Sequence, residues 1–168
     1  MEEKMISAAL QKAINEQINK ELYSSYLYLS MAAYFEDQNL PGFATWMYVQ
    51  EGEEREHGKK FFEYLVDRGA KVELKAIAAP ATTWKSSLDV FKEVQKHEAA
   101  VTASINSLYE LALSEKDYAS QIMLQWFITE QIEEEKNAAE IVQKLELIES
   151  KGTAVLMLDH ELGHRGRD

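Results

Sequence analysis

Four stretches of this chain carry apolar residues in steps of four and three, and each row is broken near its middle by an acid. That spacing keeps one face of a helix turned toward a core, so the rows predict four long helices packed on one another. The first row reads Ile14, Ile18, Glu21, Ser25, Tyr28, Ala32, Phe35. The second reads Phe43, Met47, Gln50, Glu54, His57, Phe61, Tyr64, and the third Phe91, Val94, Glu98, Val101, Ile105, Leu108, Ala112. The fourth reads Ser120, Leu124, Phe127, Gln131, Glu134, Ala138, Ile141, Leu145, Ile148. Only 7 Gly and 2 Pro interrupt 168 residues, and no long alternating run suggests a strand. The expected class is all-α, a four-helix bundle in one domain over residues 1–168.

The expected boundaries follow from breakers and caps. The first helix spans about 5–36, and a turn at 37–42 ends in Pro41 and Gly42, with Pro41 placed to open the second helix. That helix reaches about Arg68, where Gly69 can cap it. Residues 70–86 show no period. Each helix of about 28 residues is about 42 Å long, and an extended connection of this length reaches roughly 50 Å. The segment is therefore long enough to cross the bundle and start the third helix beside the start of the second; a hairpin loop would also fit. Ser86 or Ser87 caps the third helix, which runs to about Ser114. The fourth follows a short turn and runs to about Ser150, closing a bundle over about 5–150. A short fifth helix, about 153–163, contains the all-apolar run Ala154 to Leu158. In an isolated subunit Val155, Leu156, Met157 and Leu158 would be exposed together, which predicts burial against other subunits. The last residues, 163–168, read as a frayed, solvated tail.

All four acids fall near mid-helix, so Glu21, Glu54, Glu98 and Glu134 converge in one core. Buried carboxylates are costly unless protonated, paired or bound to metal. Two divalent cations would balance four negative charges. His57 stands one helical turn from Glu54 and can reach the same ion. Carboxylates with one imidazole suit iron or manganese, and zinc could compete. Tyr28 lies two turns beyond Glu21, either as a core tyrosine or near enough to hydrogen-bond a ligand or supply an electron. Gln131 is a weak ligand or a neighbouring donor. His97, His160 and His164 read as surface or interface histidines, and Trp46 and Trp126 as packing.

Charge narrows the partners. With 18 basic and 29 acidic residues the net charge is -11, which argues against nucleic acid or an anionic membrane as partner and suits cations. There is no Cys, so thiolate sites and disulfides are excluded. No apolar stretch approaches the roughly 20 residues that span a bilayer. The start, Met1-Glu2-Glu3-Lys4, lacks a signal-peptide pattern, so the cytoplasm is expected.

The stretches Asn19-Lys20-Glu21-Leu22-Tyr23-Ser24-Ser25, Glu53-Glu54-Arg55-Glu56-His57 and residues 124–136 together resemble the non-haem bacterial ferritins. The resemblance covers nearly the whole chain. It implies a ferroxidase in which two Fe(II) bind at Glu21, Glu54, His57, Glu98 and Glu134. Oxygen or peroxide takes their electrons, and Fe(III) passes to a mineral inside a homo-oligomeric cage of twenty-four subunits. It also implies a third iron position at Glu53, Glu130 and Glu133, for which a solvated acidic face is the plain alternative. The second motif is Gln131-x-x-Glu134 rather than the Glu-x-x-His of bacterioferritins, and Arg55 aligns where those carry a haem-binding Met. No haem is therefore expected. Rubrerythrins add a four-Cys iron site, which this chain lacks.

Overall fold

The computed structural model describes residues 6–149 and 151–167. Five helices follow in order: α1 (Ala8–Asp37), α2 (Pro41–Asp67), α3 (Ser87–Ser114), α4 (Tyr118–Ile148) and α5 (Gly152–Leu162). The expected starts and stops agree to within a few residues; Met5 and Ser150, where two boundaries were placed, lie outside the described residues. The Ser7 hydroxyl caps α1 by accepting from Leu10 N, Ser86 caps α3 through Asp89 N, and Asp117 caps α4 through Ser120 N. Pro41 sits in the first turn of α2, where its missing N–H costs nothing.

Three helices end alike. At α2 the left-handed Gly69 donates to Val66 O and Ala70 N donates to Leu65 O. Asn39 and Leu40 repeat the pattern after α1, and Lys116 and Asp117 after α3. These paired bonds satisfy the last carbonyls and stop each helix sharply. Asp117 then serves two elements. Besides capping α4 it forms an ion pair with Arg68 at 2.9 Å, tying the end of α2 to the start of α4. The guanidinium holds the Asp117 carboxyl down at about 2.

Residues 70–86 do cross the bundle. Asn15 Nδ2 donates to Lys71 O (2.9 Å), Asn19 Nδ2 to Ala76 O (3.1 Å) and Ser30 Oγ to Ala81 O (2.6 Å). Trp84 then packs edge-on against Tyr34. The connection thus climbs the length of α1, and α3 begins at the end of the bundle where α2 begins. α1 packs along α2 and α3 along α4.

The core divides into two apolar layers. One is aromatic-rich, around Phe35, Phe43, Trp46 and Phe91; the other holds Leu10, Ile14, Phe61, Leu65, Leu124 and Phe127. Between them lies a layer of buried polar side chains that includes all four mid-helix acids.

α5 corrects one expectation. It folds back onto its own subunit, against α2 and α4, and buries Leu158 and Leu162, with Val155 packed beside them. Only Leu156 and Met157 of the apolar run stay exposed, at 61% and 71%. The cause is local. α2 has no side-chain cap of its own, and Asp159 of α5 supplies one, accepting from Phe43 N at 2.9 Å. Gly42 lets the two backbones meet: a Cβ there would stand 1.7 Å from the Asp159 carbonyl oxygen.

Candidate metal centre

The buried acids come from four helices. α1 supplies Glu21, α2 supplies Glu54 and His57, α3 supplies Glu98, and α4 supplies Glu134. Donor atoms of Glu21, Glu54 and His57 lie within 4.8 Å of one another, as do those of Glu54, Glu98 and Glu134. Glu54 belongs to both groups, so two three-residue sites share one carboxylate. A third group joins His57, Glu134 and the half-buried Glu130.

The hydrogen bonds inside this layer are uneven. Glu21 Oε1 accepts from Gln17 Nε2 at 2.8 Å, while Glu21 Oε2 is buried with no protein partner. His57 Nδ1 stands 3.4 Å from Glu54 Oε2 and 3.9 Å from Glu21 Oε2. Gln50 spends its one amide nitrogen on two helices, donating to Glu54 Oε1 at 2.9 Å and Glu134 Oε2 at 2.8 Å. Glu98 accepts from the Tyr28 hydroxyl and from Gln131 Nε2 at 3.2 Å. Gln131 also donates to Thr102 Oγ1, so its amide nitrogen points to protein acceptors.

Electrostatics follows from burial. Desolvation pushes the Glu21 carboxyl well above its usual range, with the charge of Glu54 adding to it. Glu54 is pushed up by burial and then by Glu98. Glu134 rises to about 7 for the same two reasons. Burial and Glu98 raise the Tyr28 hydroxyl well above 10.0, so it stays protonated and donates. The layer therefore favours cations: without them, some of these carboxyls must hold protons. An orphaned carboxylate oxygen between an imidazole and a second carboxylate fits a divalent ion well.

The outer acids behave differently. Glu53 is half-buried and paired with Arg165 at 2.9 Å, and Glu133 is exposed. Neither joins a candidate metal group among the described residues. His97 is half-buried and joins no candidate metal group among the described residues. It lies between α1 and α3, 2.7 Å from Ser24 Oγ and edge-on to the Tyr28 ring, and burial lowers its pKa. His160 and His164 are exposed. Trp126 meets His57 edge to face at 5.4 Å, and the Lys60 ammonium lies 4.0 Å from the Trp126 ring centroid.

A family model described as Ferritin-like domain matches residues 11–148. The bacterial non-haem ferritin of Bacteroides fragilis is 42% identical over 161 residues, covering 96% of this chain and 100% of that one. That of Campylobacter jejuni is 40% identical over 155 residues, covering 92% and 93%. The chain belongs to the ferritin family. A solved open pore ferritin from the hyperthermophilic archaeon Archaeoglobus fulgidus superposes with a TM-score of 0.94 at 48% identity, covering 95% of this chain and 98% of that one. The ferritin fold accounts for the crossover and for the short fifth helix. No helix among the described residues is long and apolar enough to cross a membrane.

Three residues around the ferritin centre escaped the sequence reading. Gln17 and Gln50 each stand four residues before a buried acid, and on a helix that spacing puts amide and carboxylate side by side. The repeated Gln-x-x-x-Glu of 17–21 and 50–54 was the available signal. Arg165 had none, because the tail that carries it reads as solvated.

Proposed function

We propose that this protein is an iron-storage ferritin that oxidises Fe(II) at a dinuclear centre within each subunit. Fe(II) is the substrate. One ion would be held by Glu21, Glu54 and His57, the other by Glu54, Glu98 and Glu134, with Glu54 bridging. Two neighbouring Fe(II) ions can each give one electron to a single oxidant, so oxygen with two protons becomes hydrogen peroxide, or hydrogen peroxide with two protons becomes two waters, leaving two Fe(III). The observation that carries this reading is the sharing of Glu54 by two buried three-donor groups, one of which contains an oxygen with no protein partner.

The same layer suits Zn or Mn as substitutes, since both accept mixed oxygen and nitrogen donors. Glu130 lies close enough to His57 and Glu134 to receive an ion leaving the centre; Glu53 and Glu133 complete that outer position only in the reading drawn from the ferritin resemblance. Tyr28 holds the proton that orients Glu98. Fe(III) then collects as mineral in a homo-oligomeric cage of twenty-four subunits, a reading supported by the ferritin relatives. The exposed apolar residues Tyr26, Leu29 and Ile77 on one face, and Leu156 and Met157 on α5, fit contacts between copies.

The test is to add Fe(II) without oxygen and then admit air. Fast growth of ferric absorbance, with iron co-eluting with protein on a sizing column, is expected. Sedimentation should give a mass many times 19.3 kDa. Oxidation by a particle of one or two subunits, with no retained iron, would instead indicate a small-molecule oxidase or peroxidase.

A further inference from the structure

The tail after α5 is built into the subunit. Gly163 abuts Gly42, where a Cβ would stand 3.2 Å from the Gly42 Cα, and Gly166 takes a left-handed φ of +79 against Val49. Between these two glycines Arg165 turns inward. Its side chain is only 19% exposed, and its guanidinium lies over the Trp46 ring at 4.2 Å. Nη1 donates to Trp46 O at 3.2 Å, while Nη2 donates to Gln50 Oε1 at 2.7 Å and Glu53 Oε2 at 2.9 Å. Trp46, Gln50 and Glu53 are spaced by four and three on α2, so one side chain grips one helix face.

The Gln50 contact reaches the centre. A primary amide has one acceptor oxygen and two N–H donors. Arg165 takes the oxygen, which leaves both N–H groups for Glu54 on the same helix and Glu134 on α4. Those carboxylates form, with Glu98, the position that has no imidazole. A charged donor on the amide oxygen also strengthens the amide as a donor.

We propose that Arg165 is a positioning residue for the dinuclear centre. By fixing the Gln50 amide it holds Glu54 and Glu134 at a common spacing, and so sets cation affinity at the position they share. The inference rests on the reading of those acids as metal ligands. It makes the C-terminal tail part of the site: an undocked tail loosens the second position most, because two of its three carboxylates hang on the Gln50 amide, and the first less, because it shares only Glu54 with that amide and keeps Glu21 and His57. Docking also keeps Glu53 paired to Arg165.

The experiment is an anaerobic Co(II) titration of the assembled protein, followed by visible absorbance. Partners one step outside a metal's ligands typically affect affinity by about 10–100-fold. Arg165→Ala should weaken the second Co(II) by roughly tenfold and move the first by less than about twofold. Gln50→Ala should show the same selective loss. The double variant should lose no more than Gln50→Ala alone, since Arg165 acts through that amide. Arg165→Lys, which keeps the charge without the fork, should fall between. If Arg165→Ala does not assemble, Arg165→Gln carries the same expectation.

An Arg165 variant that titrates like the wild type overturns the inference, as does one whose loss adds in full to that of Gln50→Ala. Wild-type protein that binds no Co(II), or binds it equally after Glu54→Ala, overturns the metal-centre reading and this inference with it.

Discussion

The two proposed metal positions share Glu54 but stand in opposite circumstances. On the Glu21 side one carboxylate has a single hydrogen bond, from Gln17, and an oxygen facing His57 with no partner. On the other side Glu98 is bonded by Tyr28 and Gln131, and Glu134 by Gln50. Neutral donors already in the fold ease the second group without satisfying it, since burial still lifts Glu134 to about 7. The first has fewer such donors and depends more on a cation or a proton. On this reading the position with an imidazole and an orphan oxygen is expected to bind more tightly, and the hydrogen-bonded all-oxygen set to release its ion more easily.

The strongest way to break this contrast is His57→Ala. It turns the first position into an all-oxygen set like the second and removes the only nitrogen donor assigned. Rapid Fe(II) oxidation should fall by about 100-fold or more, since losing a ligand costs at least as much as losing a partner one step outside the ligands, which typically costs about 10–100-fold. Assembly should survive, because His57 packs on Trp126 and Phe127 at the edge of a large apolar layer. Stopped-flow absorbance and a sizing column measure both. Wild-type rates in the variant would remove His57 from the site.

The sequence made this contrast partly visible, and the reason is energetic. An acid inside an apolar row is improbable enough to be noticed, so Glu21, Glu54, Glu98 and Glu134 stood out. Amides are cheaper to bury, so Gln50 passed as one more member of its row although it touches two of those acids. The contacts of His97 were not legible because its partners Ser24 and Tyr23 lie beside the α1 row, and only the packing of α3 on α1 brings them together. The docking of α5 depended on where Gly42 and Gly163 meet, a relation between residues far apart in sequence. Arg165 inherited that uncertainty.

Acidity tests the same contrast from the side of the proton. Glu134 titrates near 7 in the fold against an ordinary 4.5, so the folded chain binds more protons than the unfolded chain between those values. Stability of the metal-free protein is therefore greatest below about 4.5 and falls as pH rises to about 7, by roughly 3 kcal/mol for this group. Glu21 and Glu54 act in the same direction. Asp117 opposes them only in stronger acid: its contribution is full above 3.8 and lost as pH falls through about 2. Melting of metal-free protein should thus be several degrees lower at pH 8 than at pH 5, and added Zn(II) should restore it most at pH 8. A melting temperature that climbs across this window without metal would contradict the raised carboxyls.

Filling order sharpens the contrast directly. Borderline cations prefer sites that include nitrogen, so the Glu21–His57 position should saturate at concentrations about tenfold lower than the Glu98–Glu134 position. Anomalous scattering from crystals soaked at graded Zn(II) concentrations would read the two occupancies separately. Equal occupancy throughout, or earlier filling beside Glu98, would show that ligand type does not set the order.

Tyr28→Phe gives the smallest expected change and examines the second position alone. The ring is fully buried, so the substitution keeps the packing and removes only the hydroxyl bonded to Glu98. In metal-free protein this leaves a buried carboxylate oxygen with one donor fewer, at a cost of about 1 kcal/mol. With a cation bound, the same oxygen gains a ligand in place of the hydroxyl, and the cost shrinks. Linkage then requires the second cation to bind more tightly in the variant by the difference, up to about fivefold for 1 kcal/mol. The first position, which Tyr28 does not touch, should be unaffected. Calorimetry on the anaerobic protein with Zn(II) measures both steps. A weaker second step would mean that the hydroxyl does more for the bound state than for the free one, and would assign Tyr28 to orienting Glu98 around the metal rather than to sheltering its charge beforehand.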